Sequence, residues 1–201
     1  VIILGHKEMD FDCMGAAVSM SRIVQLYDKQ VCILSRTGGI ESKLQGAMEL
    51  FKETLNKRHL FVSEMEAMNQ LRSDTLVIMV DHHTAAISNG SQILNNANKI
   101  AVIDHHRRAA ELDISPIFAY IEAGASSASE MITELLPYQI HAVDIDSSEA
   151  TLMLAGIFID TNRFKMRTGS RTFDAASQLR KLGADPVVVD DMLKDRYNDF
   201  E

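Results

Sequence analysis

Histidine and aspartate side chains follow apolar segments at four places in this sequence. The segments lead to His6, Asp10 and Asp12; to Asp81, His82 and His83; to Asp104, His105 and His106; and to Asp160. Imidazole and carboxylate ligands together, without thiolates, suit Mn²⁺, Fe²⁺ or Zn²⁺, whereas an all-oxygen set would suggest Mg²⁺ or Ca²⁺. The residue types therefore indicate a transition-metal site.

Several carboxylates buried at one place require positive counter-charge. Isolated buried charges carry a large desolvation penalty, and like charges repel one another. Divalent cations would resolve this conflict, and the number of candidate ligands indicates two ions. A carboxylate such as Asp81 could bridge a pair of ions ~3.5–4 Å apart, the separation typical of two-metal hydrolases. The alternative interpretation is four unrelated polar clusters that only solvate the starts of loops.

Other histidines and aspartates are expected to have ordinary structural roles. His59 and His141 each stand alone in the sequence and are expected to be surface or hydrogen-bonded residues. Asp144 and Asp146 have the spacing of an Asp-x-Asp ligand pair, but Asp and Ser before an apolar helix commonly act as caps. We expect loop and capping roles for both aspartates.

Short β-branched segments alternate with longer helical segments along the chain. This alternation favours a parallel sheet covered by helices on both faces. The candidate strands are nearly continuous apolar runs, as expected of strands buried on both faces. They are residues 1–4, 31–34, 59–62, 75–80, 99–103 and 117–121. The predicted fold is α/β, with a doubly wound and mainly parallel sheet.

The predicted helices connect these strands and continue after the last of them. They are residues 13–28, 41–57, 64–72, 126–136 and 147–159, followed by a C-terminal helical extension at 170–182 and 186–195. In an open parallel sheet, ligands collect outside the carboxyl ends of the strands. The three polar strand ends and the helix end at Asp160 are therefore expected to meet in one crevice.

Length, charge and cysteine content limit the kinds of protein that this sequence can encode. The chain of 201 residues, 46% of them hydrophobic, is long enough for one large core, so we expect a single domain over 1–201. A formal net charge of −8 argues against holding duplex nucleic acid through the overall field. Cys13 and Cys32 lack the spacing of a disulfide framework or a cysteine metal site. A reducing cytoplasm is the simplest setting.

No apolar stretch approaches the ~20 residues that a membrane span needs, and no signal-peptide pattern precedes the first strand. The sequence begins at Val1, already inside a predicted strand and without an initiator methionine. We therefore expect an excised part of a longer cytoplasmic protein. Its remaining parts could include a membrane anchor and a dimer contact.

The order of the polar motifs resembles that of the DHH phosphoesterases. The four motifs of that family correspond to His-x-x-x-Asp-x-Asp at 6–12, Asp81 after a strand, Asp-His-His at 104–106, and Asp160. The sequence around these motifs is similar to that of GdpP-type cyclic-di-AMP phosphodiesterases, and the resemblance extends over most of the chain. The similar segments are VIDHHRR (102–108), IEAGASSASEMITELL (121–136) and LAGIFIDTNRFKMRTGSRTFDAASQLRKLGAD (154–185).

The resemblance implies a centre of two divalent ions, with Mn²⁺ as the preferred metal. The implied ligands are His6 and Asp10 for one ion, Asp12, His105 and Asp160 for the other, and Asp81 as the bridge.

The same resemblance implies that His106 faces the substrate phosphate and that Asp104 orients the neighbouring imidazoles. Arg107 and Arg108 follow directly and could supply positive charge, because guanidinium matches phosphate oxygens well. The alternative is that both arginines are ordinary solvated residues.

Ser126 and Ser127 open a predicted helix and could bind a phosphate through their amides and hydroxyls. The alternative is a plain N-cap.

The sequence departs from the family pattern at two points. Residues 81–83 read Asp-His-His where related enzymes more often have Asp-Thr-His, so the resemblance assigns no role to His82. Full-length relatives continue into a second, substrate-binding domain with a glycine-rich motif, and nothing after Asp185 resembles it. We therefore expect this chain to carry the metal-binding half of a split active site.

The function implied is a manganese-dependent phosphodiesterase that hydrolyses cyclic-di-AMP to linear pApA through a hydroxide activated by two ions. The first alternative is a phosphoesterase of the same family that acts on pApA or other short oligoribonucleotides, because the metal motifs alone do not select a substrate. The second is a non-catalytic, nucleotide-binding regulatory module, which the intact ligand set disfavours.

Overall fold

The computed structural model describes residues 1–35, 39–107 and 112–194. Its strands are β1 (Ile2–Leu4), β2 (Glu8–Met9), β3 (Cys32–Leu34), β4 (Gly39–Ile40), β5 (Phe61–Val62), β6 (Leu76–Val80), β7 (Lys99–Asp104) and β8 (Phe118–Ile121). Within these ranges six strands form one sheet in the order β5-β3-β1-β6-β7-β8, and every pairing is parallel. The predicted parallel sheet is confirmed, and each of its strands lies at a predicted strand.

The helices follow the predicted order with two differences. They are α1 (Phe11–Leu26), α2 (Ser42–Leu50), α3 (Lys52–Arg58), α4 (Glu64–Met68), α5 (Ser91–Asn96), α6 (Ala128–Leu135), α7 (Ser147–Asp160), α8 (Ser170–Lys181) and α9 (Pro186–Leu193). The predicted helix 41–57 is two helices that meet at Phe51, where no glycine or proline marks the break. Helix α5 was not predicted, because six residues are too few to establish a helical period.

Each face of the sheet is covered by its own layer of helices. Ile3 and Ile78 point to the larger core, which contains the buried faces of α1, α6 and α7. Leu4 points to the opposite face and packs with residues of α4 and α5. Leu179 of α8 and Val189 of α9 belong to the larger core, so the C-terminal helices pack on the same core as the sheet.

Two glycines allow the helices behind the sheet to approach one another closely. A Cβ atom at Gly15 of α1 would lie 2.9 Å from the Cα atom of Met153 in α7. A Cβ atom at Gly156 of α7 would lie 2.6 Å from the Cα atom of Asp12 in α1. Larger residues would force α1 and α7 apart, so these glycines fix where Asp12 lies.

Residues expected to have structural roles have them. Asp146 caps α7 in a capping box, and Asp144 forms ion pairs with Arg22 and Arg58. His59 is buried and hydrogen-bonded.

No helix in the ranges 1–35, 39–107 and 112–194 combines the length and apolar character needed to cross a membrane.

Candidate metal centre

The carboxyl edge of the sheet forms a cleft with a volume of about 780 Å³, here called the acidic cleft. Its walls come from the loops after β1, β6 and β7 and from the end of α7. The residues that line it include His6, Asp10, Asp81, Asp104, His105, His106 and Asp160. The structure therefore brings the predicted strand-end residues to one place.

His105 lies at the centre of one group of ligands. Its Nε2 atom is 3.2 Å from Asp81 Oδ1, 3.2 Å from Asp160 Oδ2 and 3.8 Å from Asp12 Oδ2. Asp12, His105 and Asp160 each place one ligand atom within 4.8 Å of the others, so a single ion fits among them.

His6 lies at the centre of a second group. Its Nε2 atom is 3.4 Å from Asp81 Oδ2 and 3.7 Å from Asp10 Oδ1. The thiol of Cys13 is close to His6 and Asp81, but burial raises the pKa of this thiol to about 12. Cys13 is therefore a neutral neighbour of this group at physiological pH, and its proximity was not predicted from the sequence.

Asp81 joins the two groups through its two carboxylate oxygens. It is 3% exposed, and its backbone has a φ of +61°, a left-handed conformation that is uncommon for residues other than glycine. Asp81 Oδ1 has no hydrogen-bond partner among the described residues. A buried acceptor without a donor is costly in a protein, and a cation would satisfy it. The donor set of this cleft therefore fits a pair of divalent ions bridged by Asp81.

Asp12 is held rigidly at the base of the cleft. Its Oδ2 accepts a hydrogen bond from the Ala128 amide at 2.7 Å, and its Oδ1 accepts one from the Ser129 amide at 2.8 Å. Burial, together with the charges of Asp81 and Asp160, raises the pKa of Asp12. The two amides in the first turn of α6 therefore stabilise the Asp12 carboxylate, whose charge is disfavoured by burial and by the neighbouring carboxylates.

The crowded carboxylates also change the pKa values of Asp160 and His105. Burial raises the pKa of Asp160 to about 7. Burial lowers the pKa of His105, but its close approach to Asp81 and the charges of Asp12, Asp81 and Asp160 outweigh it and raise this pKa to about 9. Without a metal, a protonated His105 supplies only part of the positive charge that these three carboxylates require.

Asp104 connects two histidines at the side of the cleft. It is fully buried; its Oδ1 accepts a hydrogen bond from His106 Nδ1 at 2.8 Å, and its Oδ2 is hydrogen-bonded to His83 Nδ1. Burial raises the pKa of Asp104, but the hydrogen bonds from His106 and His83 outweigh it and lower this pKa. An ionised Asp104 thus orients the ring of His106, whose side chain is 55% exposed to the cleft.

His82 has a separate environment. Its Nδ1 is 2.8 Å from the Val80 carbonyl oxygen, and its buried Nε2 has no hydrogen-bond partner among the described residues. Burial lowers the pKa of His82 to about 4, so the ring is neutral at physiological pH. Nothing in the structure explains why histidine stands at this position.

The two serines expected at a phosphate are already engaged. Ser126 and Ser127 are 0% exposed; the Ser126 hydroxyl is hydrogen-bonded to Glu130, and the Ser127 hydroxyl accepts from the Glu130 amide. The structure supports the N-cap interpretation and leaves neither serine an exposed atom for a phosphate. Arg107 is exposed and lines the acidic cleft, whereas Arg108 lies outside the described residues.

Sequence reasoning missed two supporting residues of the site. Ser129 donates its backbone amide to Asp12. The only sequence signal for this role was its place near the start of a predicted helix that begins with serines. His83 contacts Asp104, and the signal was the Asp-His-His triplet at 81–83, in which Asp81 alone had an assigned role.

Comparisons with known proteins identify relatives of this chain. A 203-residue alignment with the cyclic-di-AMP phosphodiesterase GdpP of Bacillus subtilis is 40% identical and covers 100% of this chain and 30% of that protein. The cyclic-di-AMP phosphodiesterase PdeA of Listeria monocytogenes is 36% identical, with the same coverage of both chains. The chain therefore spans about 30% of the length of these curated relatives.

A solved structure shares the fold of this chain, and a family model identifies its family. The crystal structure of an exopolyphosphatase-related protein from Bacteroides fragilis matches with a TM-score of 0.78 and 19% identity, over 98% of this chain and 56% of that one. At this identity the match establishes the fold. A family model described as the N-terminal domain of the DHH family matches residues 1–157. The chain therefore belongs to the DHH family.

Proposed function

We propose that this chain is the metal-binding part of a manganese-dependent phosphodiesterase that hydrolyses cyclic-di-AMP to linear pApA. The observation that carries the proposal is the buried Asp81 carboxylate, whose two oxygens face two separate imidazole–carboxylate groups. Similarity to relatives named cyclic-di-AMP phosphodiesterases supports the choice of substrate. Because the chain spans 30% of those relatives, the activity is proposed for the protein that contains it.

The proposed ligands favour manganese over magnesium. They are His6, Asp10, Asp12, Asp81, His105 and Asp160. Nitrogen ligands discriminate against Mg²⁺, which is harder and more strictly octahedral. When bound, two such ions would supply a nucleophile at neutral pH by lowering the pKa of water, and would offset negative charge on the phosphate.

His106 is the group of this chain that we assign to proton transfer. Its Nδ1 donates to Asp104, which leaves Nε2 available to a ligand in the cleft. The hydrogen bond to Asp104 raises the pKa of His106, which favours a protonated ring that can donate to the leaving ribose oxygen. Asp104, held in turn by His83, keeps the ring in this orientation.

The proposal is tested by hydrolysis assays with Mn²⁺ on cyclic-di-AMP, pApA and inorganic pyrophosphate in parallel. We expect preference for cyclic-di-AMP, and loss of turnover in Asp81→Ala and His105→Ala. Preference for pApA would favour the oligoribonucleotide alternative. Tight nucleotide binding without hydrolysis under any metal would favour the regulatory alternative. Full turnover by both variants would contradict the mechanism.

We also propose that a nucleotide-binding domain outside this chain completes the active site. A comparison of this chain with the longer protein, each loaded with Mn²⁺, tests it. Equal activity on cyclic-di-AMP would contradict it, because loss of substrate positioning alone lowers rates strongly. The cytoplasmic location, membrane anchor and dimer contact of the longer protein stay predictions.

A further inference from the structure

A second cleft, also of about 780 Å³, adjoins the acidic cleft and is here called the basic cleft. Its walls include Arg107, Gly124, Arg167 and Gly169. His105, His106 and Arg107 line both clefts, so a ligand held at the proposed metal centre can extend into the basic cleft without leaving the surface.

The two clefts differ in the balance of their charges, although Lys7 and Arg107 also line the acidic cleft. Five acidic residues line the acidic cleft: Glu8, Asp10, Asp81, Asp104 and Asp160. The basic cleft has no carboxylate among its described lining residues, and it contains two arginines, Arg107 and Arg167. In a protein with a net charge of −8, this local reversal of charge suits an anionic part of a ligand.

Among the described residues, Arg167 differs from its neighbouring arginines in having no partner. Arg163 pairs with Asp190 at 2.9 Å, and Arg171 pairs with Glu134 at 2.7 Å. The Arg167 side chain makes no hydrogen bond or ion pair within 1–35, 39–107 and 112–194, and it is exposed. Its guanidinium therefore has all its donors available to a ligand.

The backbone that presents Arg167 is unusual. Asn162, Arg163 and Phe164 have φ values of +45°, +58° and +63°, and Arg167 has a φ of +49°. Such conformations are unfavourable for residues other than glycine, and they persist where the surroundings hold them. This turn begins two residues after the candidate ligand Asp160, so it links the metal centre to the basic cleft.

Contacts inside the turn hold it in place. The Thr161 carbonyl oxygen accepts from the amides of Lys165 at 2.9 Å and Met166 at 3.0 Å. The Phe164 ring lies 5.1 Å from that of Phe158, edge to face, and is stacked on Phe173 at 5.3 Å. The position of the Arg167 backbone is therefore fixed before any ligand binds.

We propose that Arg167, together with Arg107, binds the second phosphate of a dinucleotide while the first phosphate lies at the metal centre. The inference rests on the proposed function, because a cyclic dinucleotide carries two phosphodiester groups and only one is hydrolysed. The second group keeps its negative charge throughout the reaction. The planar guanidinium matches phosphate oxygens in a two-point contact, and lysine does not. Arg167 is thus a substrate-positioning residue, not a metal ligand.

The test uses Arg167→Ala, Arg167→Lys and the control Arg171→Gln in the longer protein that contains this chain, all loaded with Mn²⁺. The two substrates are cyclic-di-AMP, with two phosphodiesters, and bis(p-nitrophenyl) phosphate, with one. We expect Arg167→Ala to raise KM for cyclic-di-AMP about 10- to 100-fold with little change in kcat, since the contact is remote from the reacting phosphate. Arg167→Lys should recover part of the loss, and Arg171→Gln should behave as wild type.

The single-phosphate substrate distinguishes failure of the Arg167 proposal from failure of the proposed function. Arg167→Ala should leave hydrolysis of bis(p-nitrophenyl) phosphate and the manganese content unchanged. An unchanged KM for cyclic-di-AMP, an equal loss on both substrates, or loss of manganese would overturn the role of Arg167. Wild-type protein that cleaves bis(p-nitrophenyl) phosphate but leaves cyclic-di-AMP intact would instead overturn the proposed function.

Discussion

Two buried clusters in this chain combine histidine with carboxylate, and they differ in charge balance. In the first, here called the balanced cluster, Glu149 is 0% exposed and accepts hydrogen bonds from His59 at 2.7 Å and Arg58 at 2.9 Å. The Asp146 amide donates to its other oxygen, and His59 Nδ1 is 3.0 Å from the Ser21 hydroxyl. Every buried polar atom of Glu149 and His59 has a partner.

The metal centre uses the same residue types at similar depth without that balance. Asp12, Asp81 and Asp160 crowd around His105, and no arginine or lysine of the described residues forms an ion pair with them. Among the described residues, Asp81 Oδ1 also has no hydrogen-bond donor. Residue type and burial therefore do not distinguish a structural ion cluster from a metal site. The missing counter-charge distinguishes the metal centre from the balanced cluster, because only a cation supplied from outside would neutralise the excess carboxylates of the metal centre.

The largest expected effect comes from Asp81→Asn, which removes the bridging charge. Asparagine tolerates the left-handed backbone at this position, so the fold should be retained. We expect loss of stable binding of two Mn²⁺ ions and a fall in kcat of at least ~10³-fold, because metal ions contribute several kcal/mol to such reactions. Metal analysis and a hydrolysis assay check this.

Asp144→Asn is the matched control, since Asp144 is an exposed carboxylate of the balanced cluster. It should keep both metal content and rate. Normal metal content in Asp81→Asn would contradict the bridging role.

The next effect concerns stability and comes from Glu149→Gln in the balanced cluster. Removing one partner of a buried ion pair leaves the other uncompensated, so we expect the free energy of unfolding to fall by about 3 kcal/mol. Metal binding per folded molecule should stay at two ions. Urea unfolding with parallel metal analysis measures both quantities. Loss of metal at unchanged stability would contradict the structural role of the balanced cluster and indicate that it binds the metal.

A third prediction concerns pH. Burial lowers the pKa of His105, but its contacts with Asp81, Asp12 and Asp160 raise it to about 9, so the ring is protonated at neutral pH without metal. Metal binding requires the neutral ring and must release this proton. His6 must also lose a proton, because burial lowers its pKa but its close approach to Asp10 and Asp81 outweighs this effect and raises the pKa. Apparent Mn²⁺ affinity should therefore rise at least tenfold per pH unit from about 7 to about 8.5. Calorimetric titrations in buffers of different ionisation enthalpy measure the proton release, and pH-independent affinity would contradict the charge balance described here.

The smallest expected effect comes from His83→Ala. His83 contacts Asp104, and partners one contact away from a reacting or metal-binding group typically change activity about tenfold or more. We expect kcat to fall about tenfold, the pH profile of kcat to shift as the orientation of His106 loosens, and manganese content to stay normal. His83→Gln, which keeps a hydrogen-bond donor, should recover part of the rate. A stability loss without any change in the pH profile would indicate a purely structural role.

Periodicity and residue type predicted the strands of the main sheet and the meeting of His6, Asp81, His105 and Asp160 at its carboxyl edge. Both follow from local pattern, because parallel strands place their carboxyl ends on one side. The break at Phe51 was not predictable, since apolar spacing continues through it.

The partners of the serines and histidines depend on tertiary contacts. Ser126 and Ser127 looked available from sequence, but α6 packs against α1 and directs its first amides at Asp12. The link between His83 and Asp104 joins residues 21 positions apart in the chain. Sequence spacing carries no information on such pairings.

We propose that the metal centre in the acidic cleft holds two ions that share Asp81 as a ligand. Electron paramagnetic resonance of protein loaded with Mn²⁺, combined with elemental analysis, tests it most directly. We predict two manganese ions per chain and the signal of an exchange-coupled pair, because a shared carboxylate holds the ions ~3.5–4 Å apart. One ion per chain, or two ions with the spectrum of isolated Mn²⁺, would contradict the claim.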